Sequence, residues 1–167
     1  LIRDWDPIGV VLVGIAFGSD PKKHKVGDVL IANNIIPYES QRVGEITVFR
    51  NPVPPSSIDL TNRIRNTLDW SFKRPDGTKV NKHVGNILSG EKLVDNLEFK
   101  EFLIGQFPQV IGGEMEGSGL WAASTLHKKS WALIKSVCDW GDGKKHKEYQ
   151  ILAAASAVNL CEHIFND

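Results

Sequence analysis

Two short, unbroken apolar runs constrain this chain more than any other feature: Ile8-Gly-Val-Val-Leu-Val13 near its start and Trp131-Ala-Leu-Ile-Lys-Ser-Val137 near its end. Neither alternates polar with apolar residues, so each reads as a strand buried on both faces rather than one with a wet side. A sheet covered on both faces requires helices on both sides of it. Tyr149, Leu152, Ala153, Ala157, Leu160, Cys161 and Ile164 recur at three- and four-residue steps, which predicts an amphipathic helix over 147–165 with Cys161 in the core. Further helices are expected at 58–70, where Ile58, Leu60, Ile64 and Leu68 form an apolar face behind a Ser57 cap; at 97–105, opened by Asn96 or Asp95 and stopped by Gly105 and Pro108; and at 118–127. Strands are expected at 29–31, 45–49 and 80–88. The class this implies is α/β, and 167 residues with 41% hydrophobic content suit a single domain spanning 1–167.

Ligands in open α/β sheets bind at the carboxyl ends of strands, and three such ends here carry noteworthy chemistry. Val110-Ile111 leads into Gly112-Gly113-Glu114-Met115-Glu116-Gly117 and then a helix. If strand geometry persists, Glu114 and Glu116 point the same way, with Met115 opposed. Helix capping and the helix dipole also favour an acidic residue at such a junction, so either glutamate alone has an ordinary explanation. The run ending at Val137 delivers Cys138, Asp139 and Trp140, where Asp139 on local grounds alone reads as a helix or turn cap. The run ending at Val13 delivers Gly14-Ile15-Ala16-Phe17-Gly18, whose small residues admit a ligand to the main chain or simply make a tight turn.

Composition excludes several classes. Twenty basic residues balance twenty acidic ones, which argues against a duplex nucleic-acid partner. No apolar run approaches membrane-spanning length, so no membrane partner is expected. The two cysteines have no metal-ligand spacing, and His24, His83, His127, His146 and His163 are scattered; no metal or other cofactor is expected. No leader pattern is present, and cytoplasmic residence is the expectation.

Three motifs in order carry a family resemblance across nearly the whole chain. They are Val11-Leu-Val-Gly-Ile-Ala-Phe-Gly18 followed by Val26-Gly-Asp-Val-Leu-Ile31; Glu114-Met-Glu-Gly117; and the strand ending in Cys138-Asp139 before a Lys-containing loop and an Ala-rich helix. Together they resemble the nucleoside phosphorylase and nucleosidase superfamily, most of all its methylthioadenosine/S-adenosylhomocysteine nucleosidase branch. The resemblance implies a three-layer, phosphorylase/hydrolase-like sandwich with a mixed central sheet. It implies Asp139 as the acid that bonds to or protonates a purine ring nitrogen, preceded by Cys138 as the family's small residue. It gives Glu116 the ribose hydroxyls, Met115 a place along the sugar, and Glu114 a place in the motif without a distinct role. Ala16, Phe17 and Gly18 correspond to the strand end near sugar and base, and Leu93 to the side chain that packs on the purine. The family also has a strand with an acidic residue before the one at Ile8, which these 167 residues do not contain.

The activity implied is hydrolysis of a purine nucleoside or nucleotide at its N-glycosidic bond, releasing adenine. A nucleoside phosphorylase and a non-catalytic nucleoside-binding or assembly domain of a larger bacterial protein are the alternatives. Phosphorolysis requires partners for phosphate, commonly an arginine and a serine, and 14–18 holds neither. Lys22, Lys23, Lys144 and Lys145 would suit a 5′-phosphate or simply solvate loops. The family also implies a homo-oligomer, for which Trp70, Phe72 and Trp121 are candidate contact residues.

Overall fold

The computed structural model describes residues 2–42, 44, 45, 48–50, 52–144 and 146–165. In chain order these form α1 (Ile2–Trp5), β1 (Gly9–Gly18), β2 (Val29–Pro37), the short β3 (Gln41–Arg42) and β4 (Val48–Phe49), α2 (Ile58–Arg65), β5 (Lys82–Ser89), α3 (Leu97–Gln106), β6 (Val110–Glu114), α4 (Gly117–Leu126), β7 (Ser130–Asp139) and α5 (Lys147–Phe165). The expected α/β class and mixed central sheet are present. The sheet also curls until its ends meet, in the order β1-β6-β5-β2-β7 and back to β1. The pairs β1–β7, β2–β5 and β5–β6 are parallel, while β2–β7 and β1–β6 are antiparallel.

Closure rests on Gly112 and Gly113. These face Gly18 and Phe17 of β1. A Cβ at Gly112 would lie 2.4 Å from the Phe17 carbonyl oxygen, and one at Gly113 would lie 2.3 Å from the Phe17 ring. Only residues without side chains allow the two backbones this close. On one face of the sheet, Ala153, Ala157, Leu160 and Ile164 of α5 and Ile64 of α2 pack on Val29, Ile31, Ala132 and Ile134. On the other, Leu120 and Trp121 of α4 join Ala16, Leu30, Ile87 and Leu133. Each fully buried leucine or isoleucine in these layers contributes roughly 1.5–3 kcal/mol of hydrophobic stabilisation.

Several elements depart from expectation. β1 runs straight through Gly14–Gly18, where a turn was one reading. A Cβ at Gly18 would meet the Trp140 ring at 2.5 Å, so this glycine makes room for a tryptophan rather than a bend. β2 continues through Asn33 and Asn34, because a register shift at that point is bridged by a 2.9 Å hydrogen bond from Asn34 to Asn86. α2 stops at Arg65, five residues early, and Leu68 is 92% exposed. The Lys82 ammonium donates to the Ile64 and Arg65 carbonyls, terminating the helix. Ser57 makes no side-chain cap; its hydroxyl accepts from the Trp131 N–H at 2.8 Å and ties α2 to β7. The expected strand at 45–49 survives as β4, Ile46 and Thr47 lying outside the described residues. Cys161 is only half-buried. Trp70, Phe72 and Trp121 pack on the core of their own chain, with the Trp70 indole donating to Asn159.

The histidines are less scattered than their spacing suggests. The rings of His24 and His83 meet edge to face at 4.6 Å, and His83 lies 3.2 Å from Asp28, which also accepts from Arg74 at 2.5 Å. This buried cluster sits at the start of β2. Asp28 accepts from the Val137 N–H through its main-chain carbonyl, which fixes the end of β7.

Candidate active site

β1, β6 and β7 converge on a cavity of about 220 Å³ lined by Ile15, Ala16, Phe17, Gly113, Glu114, Met115, Glu116, Cys138 and Asp139. Lys92, Leu93 and Val94 line it from the loop after β5, and Gln150 from the first turns of α5. Every candidate site residue from the sequence is therefore at this cavity except Gly18, which lies one step further along β1 under Trp140.

Glu114 and Glu116 come together by a different route from the one expected. The strand ends at Glu114, and Glu116 already has helical geometry (φ −118°, ψ −18°) as the cap residue of α4. The Glu114 side chain is fully buried, and its carboxylate accepts from the N–H groups of Glu116 and Gly117 at 2.9–3.0 Å. It thereby satisfies amides that the first turn of a helix leaves unpaired. Beside it lies Lys135 of β7, only 2% exposed, whose ammonium is 3.2 Å from Glu114 and 2.5 Å from Glu116. Gly14 makes space for this side chain, since a Cβ there would lie 3.1 Å from the nitrogen. Two carboxylates share one ammonium, leaving one net negative charge beside the cavity. The next amide of α4, from Ser118, donates to the Ser89 hydroxyl at 2.8 Å.

Across the cavity, Asp139 accepts from the Gly141 N–H at 2.9 Å with one oxygen. Its other oxygen accepts from the Cys138 thiol at 3.1 Å. Val94 is buried, whereas Leu93 is 62% and Met115 40% exposed, both at the cavity. Lys22, Lys23 and Lys144 are exposed and do not line it, and Lys145 lies outside the described residues. The lining lysine is Lys92, paired with Glu39 at 3.2 Å.

Sequence reasoning missed Lys135, although a signal was available. A lysine in the middle of an apolar strand must find a carboxylate once buried, and here the glutamates of the β6–α4 junction supply it. Lys92 and Gln150 carry no comparable signal, because only the fold brings their loops to the cavity.

A model of the phosphorylase superfamily matches residues 1–166. The chain belongs to that superfamily. Among its relatives, the death domain-containing ATP nucleosidase of Amphimedon queenslandica is 32% identical over 187 residues, which cover all of this chain and 35% of that protein. The 5′-methylthioadenosine/S-adenosylhomocysteine nucleosidase of Maridesulfovibrio salexigens is 21% identical over 165 residues, 96% of this chain and 70% of that one. The chain thus spans about a third of the first relative and about two thirds of the second. The nucleosidase of the same name from Colwellia psychrerythraea, in complex with adenine, superposes with a TM-score of 0.83 at 20% identity, covering 99% of this chain and 69% of that one. The futalosine hydrolase of Helicobacter pylori gives 0.80 at 18%, covering 99% and 70%. These superpositions establish the superfamily's fold for this chain. Among the described residues, no helix is long and apolar enough to cross a membrane.

Proposed function

We propose that this domain serves a purine N-glycosidase, which hydrolyses the bond between ribose and adenine in a nucleoside or nucleotide. The observation that carries this reading is a single small cavity lined on one side by Glu116, with its buried Glu114–Lys135 pair, and on the other by Asp139. Breaking a ribose–purine bond builds positive charge on the sugar and negative charge on the base. The net negative charge of the Glu114–Lys135–Glu116 group favours the first. Glu116 bonds Lys135 through one oxygen and is 57% exposed, so it has acceptor capacity for the ribose hydroxyls, with Met115 alongside. Asp139, held by Gly141 and Cys138, is the acid that donates to the purine ring nitrogen as the base leaves. Leu93, Ala16 and Phe17 offer apolar surface to base and sugar.

Water is the nucleophile that this lining favours. Neither arginine nor serine is among the described residues around the cavity, and Lys92 is already paired with Glu39. A phosphate nucleophile would have few donors. The ATP nucleosidase relative supports a 5′-phosphorylated substrate. The reading also includes a homo-oligomer, supported by the exposed Leu93 and Met115 at the cavity. It places the protein in the cytoplasm, where a reducing medium keeps the Cys138 thiol as a donor to Asp139.

The test uses the full-length protein with methylthioadenosine, adenosine, AMP and ATP, with and without phosphate, following free adenine by chromatography. Release without phosphate is expected, and Asp139→Asn should slow it by at least about a hundredfold. Release that strictly requires phosphate would overturn the hydrolase reading. Unchanged activity in Asp139→Asn would overturn the assignment of the acid.

A further inference from the structure

The loop that carries Leu93 owes its position to residues outside the cavity. Glu39, two residues beyond β2, accepts from the N–H groups of Glu91 at 3.0 Å and Lys92 at 3.3 Å with one oxygen. Its other oxygen lies 3.2 Å from the Lys92 ammonium. Tyr38, only 1% exposed, donates its hydroxyl to the Lys92 carbonyl at 3.3 Å. Gly90 is pressed so close that a Cβ there would lie 2.4 Å from the Tyr38 ring. Burial foremost, then the charges of Glu39 and Glu114, pushes the Tyr38 phenol up to about 12, so it remains a donor across the working pH range. Two consecutive side chains of one strand end therefore hold both amides and the carbonyl of the segment leading into Leu93. Leu93 itself is 62% exposed at the cavity, so its own packing does not fix it there.

We propose that Glu39 is a positioning residue for base binding: by holding the 91–92 amides it sets Leu93 against the purine, without touching substrate. The inference rests on the functional reading above. Glu39 acts on affinity for the base rather than on bond cleavage, because the Glu114–Lys135–Glu116 group and Asp139 are held by contacts of their own.

The experiment measures adenine binding calorimetrically, and KM and kcat separately, in the full-length protein and in Glu39→Ala, Glu39→Gln, Leu93→Ala and Glu39→Ala/Leu93→Ala. Glu39→Ala, which removes a charged acceptor from two amides, should weaken adenine binding and raise KM about tenfold while kcat stays within about twofold. Glu39→Gln retains a side-chain carbonyl to accept from the amides and should bind adenine nearly as the unmodified protein does. The double variant should bind no more weakly than Leu93→Ala alone, since a displaced Leu93 and an absent one are equivalent. Adenine binding by Glu39→Ala equal to that of the unmodified protein would overturn the positioning role alone, as would independent, multiplicative losses in the double variant. Failure of the unmodified protein to bind adenine would overturn the functional reading, and this inference with it.

Discussion

Lys135→Met is the substitution whose cost the structure specifies most closely. Methionine fills much of the same volume, so the main loss is the ammonium between Glu114 and Glu116. Breaking a buried ion pair by removing one partner costs about 3–5 kcal/mol, because the remaining charge stays desolvated. Glu114 would retain its hydrogen bonds from the Glu116 and Gly117 amides and its place at the positive end of α4, which puts the cost near the lower bound. Glu116 is 57% exposed and regains water, so its share is below about 1 kcal/mol. A loss of about 3 kcal/mol in a 167-residue domain lowers the melting temperature by roughly 6–12 °C. Urea unfolding monitored by tryptophan fluorescence measures this directly, with an unchanged m-value expected. Adding Glu114→Gln removes the stranded charge, so the double variant should recover about 2 kcal/mol relative to additivity. A single-variant loss under about 1 kcal/mol, or a strictly additive double variant, would refute the buried-pair account.

Other consequences can be tested by the same unfolding measurement. Burial of Asp28 works against its charge, but hydrogen bonds from His83, the Asn81 and Lys25 amides and Arg74 prevail and lower its pKa from 3.8 to about 2. Its contribution of about 2 kcal/mol is therefore present above pH 4 and lost as pH falls towards 2, and Asp28→Asn should flatten stability over that interval. His24 is lowered chiefly by burial and then by His83, against the opposing pull of Asp28 and Asp20, and its Nδ1 has no partner among the described residues. The folded state thus binds this proton less readily than the unfolded one, so stability should fall as pH drops through 6.5; a profile unaltered by His24→Gln would exclude that cause. Gly90→Ala forces a methyl group against the Tyr38 ring and should cost about 1–3 kcal/mol, whereas Gly77→Ala meets no neighbour and pays only for its positive φ.

Legibility from sequence followed the range of the interactions involved. α5 was readable at both ends because its periodicity and packing are continuous over nineteen residues. The cap of α3 was readable because Asn96 acts locally, accepting from the Phe99 N–H. Ser57 looked like the same kind of cap, but its hydroxyl serves Trp131, seventy-four positions away. Periodicity carried α2 too far because Leu68 continues the apolar spacing without any surface to pack on. The glycines of β1 were read as admitting a ligand or making a turn, when Gly14 and Gly18 accommodate Lys135 of β7 and Trp140 just beyond it, more than a hundred residues later. At the site, the motif residues were legible as types, but the reason the two glutamates meet was not. They are joined by a lysine and a helix start rather than by a shared strand face.

The pairing of β1 with β7 joins residues 9–17 to residues 130–139, a separation of about 120 positions. During synthesis β1 therefore leaves the ribosome long before its main partner exists, by roughly ten seconds at ordinary elongation rates. Throughout that interval Val10, Val11, Leu12 and Val13 present, on the side that β7 later covers, an apolar ribbon of the kind other chains readily extend. This stretch is thus most exposed to aggregation before β7 emerges, and a ribosome-associated chaperone that shelters residues 9–18 should improve the yield of active protein more than one acting on the completed chain.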